Sequence, residues 1–316
     1  MNEKKVIAIV GATGAQGGGL ARAILNDPKS EFSVRALTRN PESDKAKALA
    51  DMGAEVVKAD IDNIDSIRNA FKGAYGAFCV TNFWEHFSPE KEMTQARNMA
   101  EAAKAEGVKH VIWSSLDDTR KIIGKDDDSI PTLMGKYKVP HFDAKGESDR
   151  FFLEGGVPTT VLDTVFYWEN LIYFGLGPTR REDGKLAITF PMGDKKLPAI
   201  AVEDIGKVAY GIFKSGDKYI GKVVGISGDH PTGKEMAEGL SKVVGEEVIY
   251  QDIPADVYRG FGFPGAEDMG NMFQFKRDYN DVYTASRNIE FTRSLNPELL
   301  SYEAWLAKYG DRIPVK

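Results

Sequence analysis

Three glycines at three-residue spacing, Gly11, Gly14 and Gly17, follow the apolar run Val6-Ile-Ala-Ile-Val10. Each has a separate use in such a turn. Gly11 permits a tight bend, Gly14 lets the backbone approach a bulky anion, and Gly17 lets a following helix lie against the strand. Leu20–Leu25 reads as that helix, and the amides at a helix start lack intrahelical acceptors. With Ala12, Thr13, Ala15 and Gln16 completing the turn, the chemistry implied is capture of a pyrophosphate, and so of a dinucleotide.

Two further sets of residues carry chemistry. Arg39 ends the second predicted strand, Ser33–Leu37, in Thr38-Arg-Asn-Pro41. A carboxylate at this place suits a free ribose 2′-hydroxyl, whereas a guanidinium fork suits a 2′-phosphate. Arg39, with Asn40 beside it, therefore points to NADP(H) over NAD(H); the alternative is an ordinary surface arginine. His141 and Lys145 stand four residues apart in Pro140-His-Phe-Asp-Ala-Lys-Gly-Glu147. Pro140 suits a first helical turn, which puts both side chains on one face. An imidazole there can act as a general acid near neutrality, or can simply be packed.

These residues need a scaffold of alternating strands and helices. Val6–Val10, Ser33–Leu37, Glu55–Lys58, Ala74–Val80, His110–Ser115 and Thr159–Asp163 read as strands, the first of them a continuous apolar run buried on both faces. Ser43–Met52, Ser88–Glu106 and the stretch from Pro140 read as helices, as does a stretch starting near Ile64. The predicted fold is a doubly wound parallel α/β sheet of the Rossmann type with a smaller C-terminal α/β lobe. Residues 1–165 with 201–228 form the nucleotide-binding domain; 166–200 with 229–316 form the lobe. Strand ends line the crevice of such a sheet. This nominates Asp60 and Ile61 after the third strand, Thr81, Asn82, Phe83 and Trp84 after the fourth, and Ser114 and Ser115 after the fifth. Asp60 is alternatively a cap for the next helix, and the aromatics are alternatively core. Tyr167, Trp168, Glu169 and Asn170 follow the sixth strand, either over a nicotinamide or in the core of the lobe. The stretch before Lys138, with Asp126-Asp-Asp128, reads as a long polar loop and mobile lip. Residues 229–316 read as mostly helical, with an aromatic turn at Phe261-Gly-Phe-Pro-Gly265.

Composition sets outer limits. A chain of 316 residues, 42% apolar and 28% charged, suits a globular protein with a large core. The net charge of −6 disfavours direct nucleic-acid binding. One cysteine, Cys79, precludes an intramolecular disulfide and fits a reducing compartment. The longest apolar stretch falls short of the ~18 residues of a membrane span, and Met-Asn-Glu-Lys-Lys runs straight into a strand, leaving no room for a leader. The expected location is cytosolic, or cytosolic and nuclear. The four histidines lack metal-ligand spacing, and the aspartates at 126–128 lack the glycine and distal glutamate of a calcium loop.

The G-x-x-G-x-x-G spacing resembles the extended and atypical short-chain dehydrogenases. Gly11-Ala-Thr-Gly-Ala-Gln-Gly17, Thr38-Arg-Asn-Pro41, Thr81-Asn82, Pro140–Glu147, Glu169-Asn170, Gly262-Phe-Pro-Gly-Ala266 and Leu295-Asn-Pro297 together resemble the NmrA-like family over essentially the whole chain, most of all its redox-sensor branch. That resemblance implies NADP(H) with Gly11–Gln16 on the pyrophosphate, Arg39 and Asn40 on the 2′-phosphate, and Asp60 and Ile61 at the adenine. It implies Thr81, Asn82 and Phe83 along the middle, Lys145 on the nicotinamide ribose, and Tyr167–Asn170 at the nicotinamide. Many short-chain dehydrogenases carry Tyr-x-x-x-Lys, the tyrosine donating the proton; here histidine stands in its place, and Tyr137 lies outside that spacing. The absent tyrosine favours a sensor of the NADPH/NADP+ ratio acting through a regulatory protein partner. The alternative is an NADPH-dependent reductase of a small quinone, imine or carbonyl compound, with His141 and Lys145 as its catalytic pair. A third reading is a purely structural partner protein. Two departures from animal members stand out: the loop before Pro140 is longer and more acidic, and Ser115 replaces a glycine, which favours retained chemistry. A monomer and a homodimer are both compatible with the sequence.

Overall fold

The computed structural model describes residues 3–124 and 127–315. The chain divides into two units: Met1–Asp117, Ala144–Thr164 and Val202–Val224 form the first, and Asp118–Asp143, Val165–Ala201 and Gly225–Lys316 the second.

The first unit alternates strand and helix. In order come β1 (Lys5–Ile9), α1 (Ala15–Leu25), β2 (Phe32–Thr38), α2 (Asp44–Asp51), β3 (Glu55–Lys58), α3 (Ile64–Phe71), β4 (Gly76–Cys79), α4 (Pro89–Ala105) and β5 (His110–Ser115). Then follow α5 (Pro140–Leu153), whose first turn belongs to the second unit, β6 (Thr159–Asp163), α6 (Val202–Lys214) and β7 (Val223–Gly225). The sheet order is β7-β6-β5-β4-β1-β2-β3, and β1 to β6 pair in parallel. The chain winds outward from β1 to β3, then returns to place β4 on the other side of β1. The ends of β1 and β4 therefore form a topological switch point, where such sheets bind ligands.

The apolar runs explain the layers. Ala8, Val10, Ala77, Val111, Trp113 and Val161 cluster with Phe71, Met99 and Phe152 on one side of the sheet, where Trp113 stacks on Phe152 at 4.8 Å. Ile7, Ile9, Ile112 and Leu162 alternate with them and are equally buried, as a sheet covered on both faces requires. On that second side α1 and α6 meet backbone to backbone. A Cβ on Gly206 would lie 2.1 Å from the Leu20 amide nitrogen. Helix starts are set locally: Ser43, Asn63 and Ser88 accept the amides of Ala46, Ser66 and Lys91, each such cap worth about 1 kcal/mol.

The second unit holds a three-stranded sheet. Leu186–Thr189 pairs antiparallel with Thr179–Arg180 and parallel with Val248–Gln251. The last of these interrupts a region that the sequence reads as mostly helical. Helices Gly233–Val244, Ala266–Asp278 and Tyr302–Tyr309 supply most of the rest. Phe261 and Phe263 stay partly exposed beside Tyr258, at 5.1 and 6.0 Å.

The sequence assigns the polar loop that ends at Lys138 to the first domain, as a mobile lip. The structure groups it with the second unit and ties it down there. Arg120–Ile123 forms a helical turn, and Leu133 and Tyr137 exchange backbone hydrogen bonds of 2.7 and 3.0 Å. Asn271 donates to the Pro131 and Lys138 carbonyls at 2.8 and 2.6 Å, and Gln274 to that of Ser129 at 2.8 Å. Side-chain amides thus satisfy the loop's backbone, which its polar composition does not reveal. Of its acidic run, Asp126 lies outside the described residues; Asp127 accepts from the Tyr279 hydroxyl at 2.9 Å.

Candidate functional site

The glycine turn sits at the switch point of the first unit, and its geometry meets the demands of a phosphate cradle. Gly11 has φ +65°. The Gly14 amide donates back to the Gly11 carbonyl at 2.8 Å, and a Cβ at Gly14 would lie 3.1 Å from that oxygen. At Gly17 a Cβ would fall 2.6 Å from the Gly11 oxygen. Helix α1 begins at Ala15 with Gly14 as its N-cap, no capping side chain and no acidic residue in the first turn. Its first amides and dipole are therefore left for an anion. Gly11, Gly14 and Ala15 are exposed, Thr13 half-buried and Ala12 buried. The Gln16 side chain is anchored, accepting from the Ser114 hydroxyl at 2.7 Å.

Arg39 extends from the end of β2, its side chain 69% exposed. It is bound by Glu85, in a 3₁₀ turn after β4, through both terminal nitrogens. The Glu85 hydrogen bond, and then the nearby charges of Glu85, Asp60 and Asp62, raise the guanidinium's pKa. Asn40 accepts the Glu42 amide at 3.1 Å. Asp60 is exposed and closes a short turn on the Asp62 amide at 3.0 Å; the cap of α3 is Asn63 instead. The Ile61 carbonyl accepts from Asn98 at 3.0 Å. Asn82 is exposed, whereas Phe83 is buried among Trp84, His86 and Phe87.

Beneath the end of β4 lies a cluster that the sequence does not announce. Glu92, in the first turn of α4, is wholly buried. Its Oε1 is 2.7 Å from Lys145 Nζ and accepts from the Thr81 hydroxyl at 2.6 Å. Lys145 Nζ also donates to the Thr81 hydroxyl at 2.6 Å and the Thr81 carbonyl at 3.1 Å. An ammonium has three donors, and these three acceptors match them. Glu92 Oε2 faces His86 Nε2 at 3.4 Å. Burial alone pushes the Glu92 carboxyl up; the Lys145 charge, with hydrogen bonds from His86, Lys145 and Thr81, outweighs it and brings the value down to about 2. A buried glutamate within a polar helical turn looks like any solvated carboxylate in sequence, which is why it escapes notice.

The paired serines have structural partners. Ser114 serves Gln16, and Ser115 donates to Asp149 of α5 at 2.6 Å. Asp149 also accepts the Trp113 indole at 2.9 Å. Ser115 is fully buried, so the expectation that it lines the crevice and favours retained chemistry gives way to a β5–α5 staple.

In the second unit His141 is 6% exposed. Its Nδ1 lies 2.6 Å from Asp268 Oδ1, and its backbone amide donates to Asp268 Oδ2 at 3.1 Å. Asp268 thus orients the ring in the manner of a carboxylate–histidine dyad. Tyr137 is fully buried. Tyr167 is half-buried and Asn170 opens a short helix. Trp168 is fully buried, packed on Tyr302 and Trp305 at 5.6 and 5.9 Å. It offers no surface to a nicotinamide and is core of this unit. Glu169 accepts the Trp305 indole at 3.0 Å. Among the described residues no cluster of histidine, cysteine and carboxylates could hold a metal, and no helix is long and apolar enough to cross a membrane.

Comparison with known proteins agrees with this architecture. NmrA, a negative transcriptional regulator solved in complex with NAD and with NADP, superposes with TM-scores of 0.76 and 0.75 at 21% identity, covering 98% of this chain and 95% of its own. Triphenylmethane reductase from Citrobacter sp., complexed with NADP(H), gives a TM-score of 0.75 at 22% identity, covering 96% and 99%. The NmrA-like family domain-containing oxidoreductase FrzB of Cladobotryum sp. is 30% identical over 299 residues, 89% of this chain and 86% of that protein. The NmrA-like family profile matches residues 3–306; the chain belongs to the NmrA-like family.

Proposed function

We propose that the first unit binds NADP(H) and that the protein works as a sensor of the NADPH/NADP+ ratio, read by a regulatory protein partner. The observation that carries this is the Thr81–Glu92–Lys145 cluster. In a tyrosine-dependent dehydrogenase the lysine tunes its neighbour and holds the ribose. Here Lys145 is locked to Glu92 and Thr81 with no tyrosine at the matching position, which suits a fixed charge that reports on a nucleotide. The glycine turn with the open start of α1 would hold the pyrophosphate, and Arg39 the 2′-phosphate. Asn82 and the Lys145 cluster would line the nicotinamide half. Bound NADPH would supply a hydride only in the reductase alternative; in the sensor the chain's own residues bind and orient the nucleotide.

A second reading, an NADPH-dependent reductase, is favoured by the His141–Asp268 dyad and by relatives named as oxidoreductases. One experiment separates the two. NADPH consumption is followed across a panel of carbonyl, imine and quinone compounds, alongside hydrogen exchange of the NADP+- and NADPH-loaded full chain. The sensor shows background consumption and a protection pattern that differs between the two forms. Consumption well above background that depends on His141 would overturn it in favour of the reductase.

A further inference from the structure

The oxidised nicotinamide ring carries a positive charge and the reduced ring carries none, while the rest of the dinucleotide is the same in both. A fixed protein charge near the ring therefore enters the ratio of the two affinities directly, and more strongly where water is excluded. The first unit has such a charge system. Glu92 is wholly buried and the Lys145 side chain is 12% exposed, with 2.7 Å between their charged atoms. Thr81 bridges them from the strand end. The carboxylate stays ionised through most of the pH range. On its other side, His86 Nδ1 accepts the Ser88 amide at 3.1 Å, so the ring proton sits on Nε2, facing Glu92.

We propose that Glu92 sets the balance with which the oxidised and reduced cofactors are held, by cancelling the charge of Lys145. The inference rests on the reading that NADP(H) binds the first unit with its nicotinamide ribose at Lys145. A buried ion pair is neutral as a whole, so NADP+ meets no net repulsion there. Remove Glu92 and the ammonium stands alone beside a cationic ring. Remove Lys145 and a carboxylate attracts that ring. A merely structural pair would alter stability and both affinities together, leaving their ratio where it was.

The test is calorimetric titration of the full chain with NADP+ and with NADPH, for the wild type, Glu92→Gln, Lys145→Gln and the double variant, each first checked for native circular dichroism. Glu92→Gln should shift the affinity ratio toward NADPH by about tenfold, equivalent to about 30 mV for a two-electron couple. Lys145→Gln should shift it the opposite way, and the double variant should return near the wild-type ratio. If only one single variant folds, its direction and the return of the double variant decide. A wild type that binds both forms, with single variants whose ratios stay put or move in the same direction, overturns the proposal alone. A wild type that binds neither form overturns the NADP(H) reading beneath it.

Discussion

Glu92 and Lys145 form a buried ion pair of 2.7 Å that joins the first turn of α4 to α5 under the end of β4. Removing one partner leaves the other charge buried and uncompensated. Lys145→Ala should therefore cost ~3–5 kcal/mol, read by urea unfolding, and should weaken NADP(H) binding as well. The pH dependence follows from the depressed carboxyl. Glu92 titrates near 2 in the fold against an ordinary 4.5, so its contribution is complete above about 4.5 and is lost as the pH falls toward about 2. In Glu92→Gln that part of the acid limb should flatten; an unchanged limb would show that the pair contributes nothing.

His110 gives a second, separate window. It is wholly buried, with Nε2 2.9 Å from the Thr160 hydroxyl, and burial lowers its pKa from 6.5 to about 4. Between these values the unfolded chain binds the proton and the folded chain does not, so stability declines as the pH falls from 6.5 to about 4. The loss should be on the order of 3 kcal/mol. Replacing His110 with Gln should remove this slope from a pH series of urea midpoints; a slope that survives would assign it to other groups.

The glycine turn separates packing from binding. At Gly17 an added Cβ meets the backbone at 2.6 Å, so α1 must move. Gly17→Ala should cost ~1–3 kcal/mol and weaken nucleotide binding together. At Gly14 the space is less tight, and its Cβ would enter the anion's approach. Gly14→Val should keep a near-native circular dichroism spectrum and lose the nucleotide. Full stability in Gly17→Ala would contradict the packing argument.

On the proposed NADP(H) reading, the choice at the 2′ position falls to Arg39 and Glu85. NADP(H) should bind more tightly than NAD(H) by roughly 1.5–3 kcal/mol, the scale of a hydrogen bond to a charged group, and Arg39→Ala should erase most of that gap. Because Glu85 competes for the same guanidinium, Glu85→Gln should widen it. Equal affinities for the two cofactors in the wild type would remove Arg39 from this role.

The sheet was legible because β1 and β4 are apolar in their inner positions and because Gly11, Gly14 and Gly17 follow β1 in the one context that gives them meaning. Ser43, Asn63 and Ser88 mark helix starts by type. What stayed hidden depends on contacts distant in sequence. Glu92 lies 53 residues from Lys145 (145 − 92) and Asp268 lies 127 from His141, and no local pattern signals either pairing. The anchoring of 118–143 depends on Asn271 and Gln274, more than a hundred residues downstream. Trp168 and Ser115 have the residue types of a site, but their neighbours Trp305 and Asp149 make one core and the other a staple.

Calorimetric titration of the purified full chain with NADPH and with NADP+, repeated on Gly14→Val, tests the central claim most directly. The account predicts one cofactor bound per chain in either redox form, and loss of both in the variant. Binding absent from the wild type, or unaltered in Gly14→Val, would contradict it.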